Sequence, residues 1–392
     1  MSPTPVTYAS PTAPASYSWE ATDEEVAARY GVPIERILRF DLNTSPDPPA
    51  LALQVLAAGR FETPLSEYPP SDYRRLMEAA AETYGVGTDE LLVGAGADEI
   101  LDLCGKTFLP PGGAAVVSTP TYAMFRVVTE QRGARAVAVP RRPAAEGWAL
   151  DAAAVREAAT NAQLVWLCSP NNPTALAEPD GTIQQLLDDL AADADRDGRP
   201  APIVVLDEAY AEFTGRSLVG LRDRHTNLVV VRTASKAYAL AGLRVGFAIA
   251  RPETIARIAP YRPPGSVATT SVTVVTEALR DRGIVAANVD RVEREREHLD
   301  AALRRAGLAV GPSVTNFLLV DLGTADRAAA VADGLLRRGL VLRTFPAGHP
   351  LAAFLRLTVR DRGGNDRLIE AAVDMAEATV GTASPMSSGK DR

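Results

Sequence analysis

Six short apolar runs, interleaved with amphipathic segments, constrain this chain more than any other feature. Between roughly Leu91 and Ala250 they read "AAVVSTP", "ARAVAVP", "QLVWLCSP", "PIVVLDEAY", "NLVVVRTAS" and "LRVGFAIA". Most are continuously apolar, as strands covered on both faces must be. The segments between them, such as "ADEILDLCGKTFL", "YAMFRVVTEQRG" and "TIQQLLDDLAADA", carry apolar residues at helical spacing. That alternation predicts an α/β domain with a mostly parallel central sheet. After Pro264 the pattern changes: a long charged helix, "GIVAANVDRVEREREHLDAALRRAG", precedes "TNFLLVDL", a helix around "RAAAVADGLLRRG", then "LVLRTF" and "FLRLTV". A final helix is expected over about Asp366 to Thr379. Fewer strands separated by helices predict a smaller α+β domain. The run "DRVEREREHLD" reads as a solvated helix face and is assigned no function.

Bulk properties exclude several classes. A net charge of −8 makes nucleic acid or an anionic membrane an unexpected partner. No stretch approaches the roughly 20 apolar residues of a membrane span. Cys104 and Cys168 have apolar flanks and read as buried thiols rather than a disulfide framework. The first residues, rich in Ser, Thr, Pro and Ala, lack the basic and apolar regions of a signal peptide, so the cytoplasm is the expected location. His225, His298 and His349 lack metal-ligand spacing, and no metal site is expected.

The chemistry-bearing residues cluster where strands end, which is where ligands bind in open α/β sheets. Lys236, in "VVVRTASKAYALAGLRVGFAIA", sits among small and apolar residues with no acidic neighbour in the window. It is either a lysine snorkelling from the end of a core strand or one kept largely neutral by burial and ready to form a Schiff base. "GAGADE" begins like a dinucleotide fingerprint, but Glu99 stands where the third glycine belongs. What remains is a helix-opening turn that suits an anion or is simply structural. "CSPNNPTA" closes one strand with two amides. "VVLDEAYAEF" puts Asp207 and Tyr210 at the end of the next, where Asp207 could pair with a protonated pyridine nitrogen or cap a helix. Ser235 and Arg244 could donate to a phosphate, and Tyr122 could stack on a flat ring.

As an ordered set, "SPNNPT", "DEAY" and "SKAYALAGLRVGF" resemble the fold-type I pyridoxal-phosphate (PLP) aminotransferases, and most of all the histidinol-phosphate aminotransferase family. The resemblance runs from about Glu24 to Ala378. It implies that Lys236 is the Schiff-base lysine, that Asp207 pairs with the pyridinium nitrogen, and that Asn172 and Tyr210 bond the phenolic oxygen. Tyr122 would stack on the ring. Gly96, Ala97 and Asp98, with Thr233, Ser235 and Arg244, match the phosphate-binding region. Tyr68 matches a tyrosine that reaches the phosphate of the neighbouring subunit, implying a homodimer. Arg356 matches the arginine that holds the substrate α-carboxylate, and Arg343 one that contacts a substrate phosphate. Asn43 is retained from an otherwise altered N-terminal signature, here "LNTSPDPP". Ala175 replaces the usual glycine after "NPT", which is expected to affect the turn above the cofactor, and Tyr17 is a candidate for a further substrate-phosphate tyrosine.

The implied organisation is a flexible arm over 1–22, a segment 23–60 joining the small domain, a large PLP-binding domain over 61–270, a small domain over 271–381 and a disordered tail over 382–392. The implied activity is transfer of an amino group from histidinol phosphate or a related amino acid to 2-oxoglutarate. Two alternatives stand beside it. One is a threonine-phosphate-type decarboxylase, whose N-terminal region "EEVAARYGVPIERILRFDLNTSPDPP" resembles. The other is an aminotransferase of aromatic or specialised amino acids.

Overall fold

The computed structural model describes residues 16–381. The first fifteen positions of the expected arm and the expected tail lie outside the described residues. A short strand, β1 (Leu38–Arg39), comes first. Seven strands follow: β2 (Leu91–Gly94), β3 (Ala114–Thr119), β4 (Arg135–Pro140), β5 (Leu164–Cys168), β6 (Ile203–Asp207), β7 (Leu228–Thr233) and β8 (Gly246–Ile249). They form one sheet in the order β2-β8-β7-β6-β5-β3-β4. All neighbours are parallel except at β8, which runs antiparallel to both β2 and β7. The continuous apolar runs are accounted for by two cores. Val165, Leu167, Val204 and Leu206 point into one, and Trp166, Val205, Val229 and Val231 into the other. Trp166 is fully buried and its indole N–H donates to Thr129 Oγ1 at 2.9 Å, so no polar atom of that side chain is stranded.

The C-terminal strands are β9 (Ala309–Val310), β10 (Phe317–Asp321), β11 (Leu340–Val341) and β12 (Phe354–Thr358). β9, β10 and β12 make an antiparallel sheet in the order β12-β10-β9, while β11 pairs in parallel with β1. The long helix Arg282–Arg305 and the final helix Arg362–Gly381 cover this sheet, burying Leu299, Leu303 and Leu368 against Leu318 and Leu355. The final helix starts earlier than the spacing suggested, because "RGGN" turns helical beside Arg360.

Two helices at the ends of the expected large domain pack into the core of the seven-stranded sheet. Helix Thr269–Arg280 places Val272, Val275 and Leu279 there, against helix Arg74–Tyr84. Helix Ala50–Ala58, within the segment 23–60, packs on helix Thr269–Arg280, with Ala52 in the same core. β-branched residues in "TTSVTVVTEALR" hide the helical stripe that drives this docking. Among the described residues no helix is long and apolar enough to cross a membrane, and no group of metal-binding side chains occurs.

Candidate active site

A cavity of about 750 Å³ opens at the carboxyl ends of β5, β6 and β7 and is closed by the N-terminal segment and the C-terminal strands. Lys236 lines it. Its Nζ donates to the carbonyls of Asn43 at 3.1 Å and Leu42 at 3.3 Å, and sits 5.7 Å from the centre of the Tyr210 ring. Burial and then the nearby Arg356 guanidinium push its amine down to about 8. The lysine is aimed by the turn after β7, in which Ser235 N–H donates to Thr233 Oγ1 at 3.1 Å. The Lys236 head group thus lines this cavity, held by two backbone carbonyls, and does not end at an ordinary solvated surface.

Asp207 ends β6 in register with Cys168 of β5 and Val231 of β7. Ala209 N–H donates to its Oδ1 at 2.9 Å, so it does cap a turn, and it also lines the cavity. Burial pushes its carboxyl up to about 7. Burial penalises the charged form of both Lys236 and Asp207, and a cation placed beside Asp207 would reverse its shift. Tyr210 is buried, its phenol raised above the ordinary range by burial, and its oxygen accepts from Asn43 Nδ2 at 3.0 Å. Asn43 adopts the left-handed conformation (φ 52°), which asparagine tolerates better than most residues.

At one end of the cavity, helix Gly96–Phe108 begins with its free backbone N–H groups beside Ala97 and Asp98. Asp98 accepts from Tyr122 Oη at 2.8 Å and from Arg244 Nη2 at 3.2 Å. Tyr122 is thereby fixed at its tip and packed edge-on to Phe125, 5.9 Å between centres. Ser235, Thr233 and Arg244 line the same end, so the donors named from sequence converge there. Gly96 (φ 85°) sits just beneath: a Cβ on it would lie 2.5 Å from Arg244 Nη2.

At the other end stand two arginines. Arg343 and Arg356 exchange both backbone hydrogen bonds, at 3.0 and 3.1 Å, so their side chains leave from facing positions into one cavity. Arg356 is buried, donating from Nη1 to Asn172 Oδ1 at 2.6 Å and from Nη2 to the Asp41 carbonyl. Arg343 donates to the Ser18 carbonyl at 2.6 Å, lies over the Tyr17 ring at 5.2 Å and is 3.7 Å from Glu20.

Tyr68 does not join this assembly within the chain; it is 90% exposed. None of the three histidines lines the cavity: His298 pairs with Asp366, His225 with Asp188, and His349 stacks on Phe345 in a loop. Ala175, expected to affect its turn, adopts the left-handed conformation (φ 66°) while fully buried, with its N–H donating to Asn171 O. That conformation costs an alanine roughly 1–2 kcal/mol. Sequence reasoning overlooked Gly246, whose lack of a side chain lets β8 touch the backbone of Gly96 and Ala97. A glycine inside the strand run "LRVGFAIA" was the available signal. It also missed Trp19 and Asp41, which line the cavity without any motif.

The sequence profile described as "Aminotransferase class I and II" matches residues 40–372. The chain is 36% identical over 363 residues to a histidinol-phosphate aminotransferase of Roseiflexus castenholzii, covering 90% of this chain and 93% of that protein. It is 36% identical over 340 residues to one from Thermococcus gammatolerans, covering 86% and 92%. The crystal structure of histidinol-phosphate aminotransferase from Sinorhizobium meliloti in complex with pyridoxal-5'-phosphate superposes with a TM-score of 0.81 at 25% identity, covering 93% of this chain and 96% of that one.

Proposed function

Because the chain belongs to the class I and II aminotransferases, we propose that it moves the amino group of histidinol phosphate, or of an amino donor with a similarly placed anion, to 2-oxoglutarate. The protein is a PLP-dependent aminotransferase. Its cavity fits that cofactor on two counts. The helix start with Ser235 and Arg244 offers donors for a phosphate, and Asp207 is a buried carboxyl group that forms no ion pair among the described residues and so suits a cationic ring nitrogen.

When bound, PLP supplies an electron sink for the electron pair released at the substrate Cα. In this reading Lys236 anchors the cofactor and, once released, carries the proton away from Cα. Asp207 keeps the ring nitrogen protonated, since an adjacent anion favours the cationic form. Asn172 and Tyr210 orient the ring through its phenolic oxygen, and Tyr122 covers one face. The N-terminal segment seated on Arg343 and Thr344 limits the access of water to that space.

The paired arginines carry the substrate assignment. Histidinol phosphate has no α-carboxylate, so both guanidinium groups are available to its phosphate, and 2-oxoglutarate presents two carboxylates to the same pair in the return half-reaction. Tyr17 and Trp19 also border the cavity, which favours an aromatic amino acid as the second reading. A panel of donors with 2-oxoglutarate, scored for keto product and for CO₂, tests both. Histidinol phosphate should give the highest kcat/KM without CO₂. Preference for phenylalanine-like donors would transfer the assignment to the second reading, and stoichiometric CO₂ would overturn both. We also assign a homodimer in which Tyr68 reaches the neighbouring site; the exposure of this large aromatic, with exposed Leu65 three residues before it, supports that reading. Sedimentation at a single monomer mass would refute that assembly.

A further inference from the structure

Asn288 lies on the long helix Arg282–Arg305, outside the cavity, yet it grips the main chain of the cavity's lysine. Its Nδ2 donates to the carbonyl of Ala237 at 2.9 Å and of Lys236 at 3.4 Å. Its Oδ1 accepts from Arg291 Nη2 at 2.8 Å and Nε at 3.2 Å, and from Ser45 Oγ at 3.3 Å. The amide orientation is fixed by chemistry, since carbonyls only accept and a guanidinium only donates. Arg291 reaches on to Ser45 Oγ at 3.3 Å and to the carbonyl of Arg360 at 3.4 Å.

Ser45 belongs to the altered segment "LNTSP", two residues beyond Asn43, whose carbonyl accepts from Lys236 Nζ. The bonds therefore close a ring: Lys236 Nζ to Asn43, along the chain to Ser45, across to Asn288, and back to the carbonyl of Lys236. Asn43 is itself tied down, its N–H donating to Thr358 Oγ1 at 2.9 Å and its carbonyl accepting from Asn316 Nδ2 at 3.0 Å. Both ends of the lysine side chain are thus referenced to one frame.

We propose that Asn288, Arg291 and Ser45 are positioning residues that set the resting place of Lys236, holding its main chain from the long helix while the Leu42–Asn43 carbonyls receive its amine. The lysine must leave the cofactor and return to it in each turnover, and a fixed backbone with a defined second resting point shortens that search. The charged groups that face the lysine amine are Asp98, Asp207, Arg244 and Arg356, none of which belongs to the ring.

The test uses the holoenzyme with Asn288→Ala, Ser45→Ala and the double variant, each normalised to bound cofactor. Removing one net hydrogen bond from a positioned group should lower kcat by about 3- to 10-fold, with KM for the donor little changed. The midpoint of the pH titration of the cofactor's visible band should move in the same direction in both single variants. The double variant should lose little more than the worse single one, because both break the same ring. Ser45→Ala changes a loop side chain, so it keeps the test available if Asn288→Ala folds poorly. Unmoved titration midpoints, or losses that simply add, would overturn the proposal and leave Asn288 a brace for the fold.

Discussion

Gly246 offers the sharpest test of how the cofactor end of the cavity is built. A Cβ at this position would lie 2.4 Å from the carbonyl carbon of Gly96, 2.5 Å from Ala97 N and 2.7 Å from Gly96 O. Carbon atoms in contact sit about 3.5–4.0 Å apart, so Gly246→Ala must push the two segments about 1 Å apart. All three atoms are backbone, and no side chain can swing aside. The segment displaced is the start of helix Gly96–Phe108, which carries the N–H groups at the anion end of the cavity. Overpacking of this kind costs roughly 1–3 kcal/mol. Expressed in cofactor binding, that is about 5- to 150-fold in Kd. Titration of the apoprotein with PLP, followed by absorbance, measures it directly, and thermal unfolding of apo and holo forms reports any general loss of stability. Gly220→Ala is the control: its Cβ meets nothing within 4 Å and should change little. Wild-type PLP affinity and thermal midpoint in Gly246→Ala would refute the close-approach argument.

Other substitutions address single roles. Asp207→Asn keeps the shape and the bond from Ala209 but cannot hold a pyridinium charge, so kcat should fall on the order of 10²-fold or more; near-normal turnover would reduce Asp207 to a turn cap. Arg343→Ala should weaken donors with a second anionic group by roughly 10- to 150-fold and leave phenylalanine-like donors nearly untouched, as steady-state kinetics on both donor types will report. Since the Lys236 amine is pushed from 10.5 down to about 8 and reacts only when neutral, PLP capture by the apoprotein should accelerate as pH rises and level off above about 8. A rate still climbing steeply beyond pH 10 would show an unperturbed lysine.

Much of this was legible in the sequence because strands buried on both faces leave apolar runs, and their polar ends mark the ligand side. Lys236, Asp207 and Asn172 were found that way, each as a polar residue interrupting or ending an apolar run. The antiparallel direction of β8 was not legible, since a continuous apolar strand reads alike in either sense. β2 was hidden by its length of four residues. Arg291 was lost in the charged run set aside as a solvated face and Asn288 lies just before it, because helical periodicity records burial and not which carbonyl a polar residue meets. Trp19 and Asp41 reach the cavity through long-range folding of the N-terminal segment, which leaves no local pattern. The left-handed conformation of Ala175 was not legible either, since alanine carries no local signal for it and the surrounding packing holds it there.

The central claim is that Lys236 is the residue that carries PLP. Borohydride reduction of the yellow holoenzyme, followed by proteolysis and mass spectrometry, tests it most directly. The cofactor should be fixed on the peptide containing Lys236, and Lys236→Ala should yield no such adduct and retain little activity. Covalent cofactor on Lys106, or an unchanged adduct in Lys236→Ala, would contradict the account.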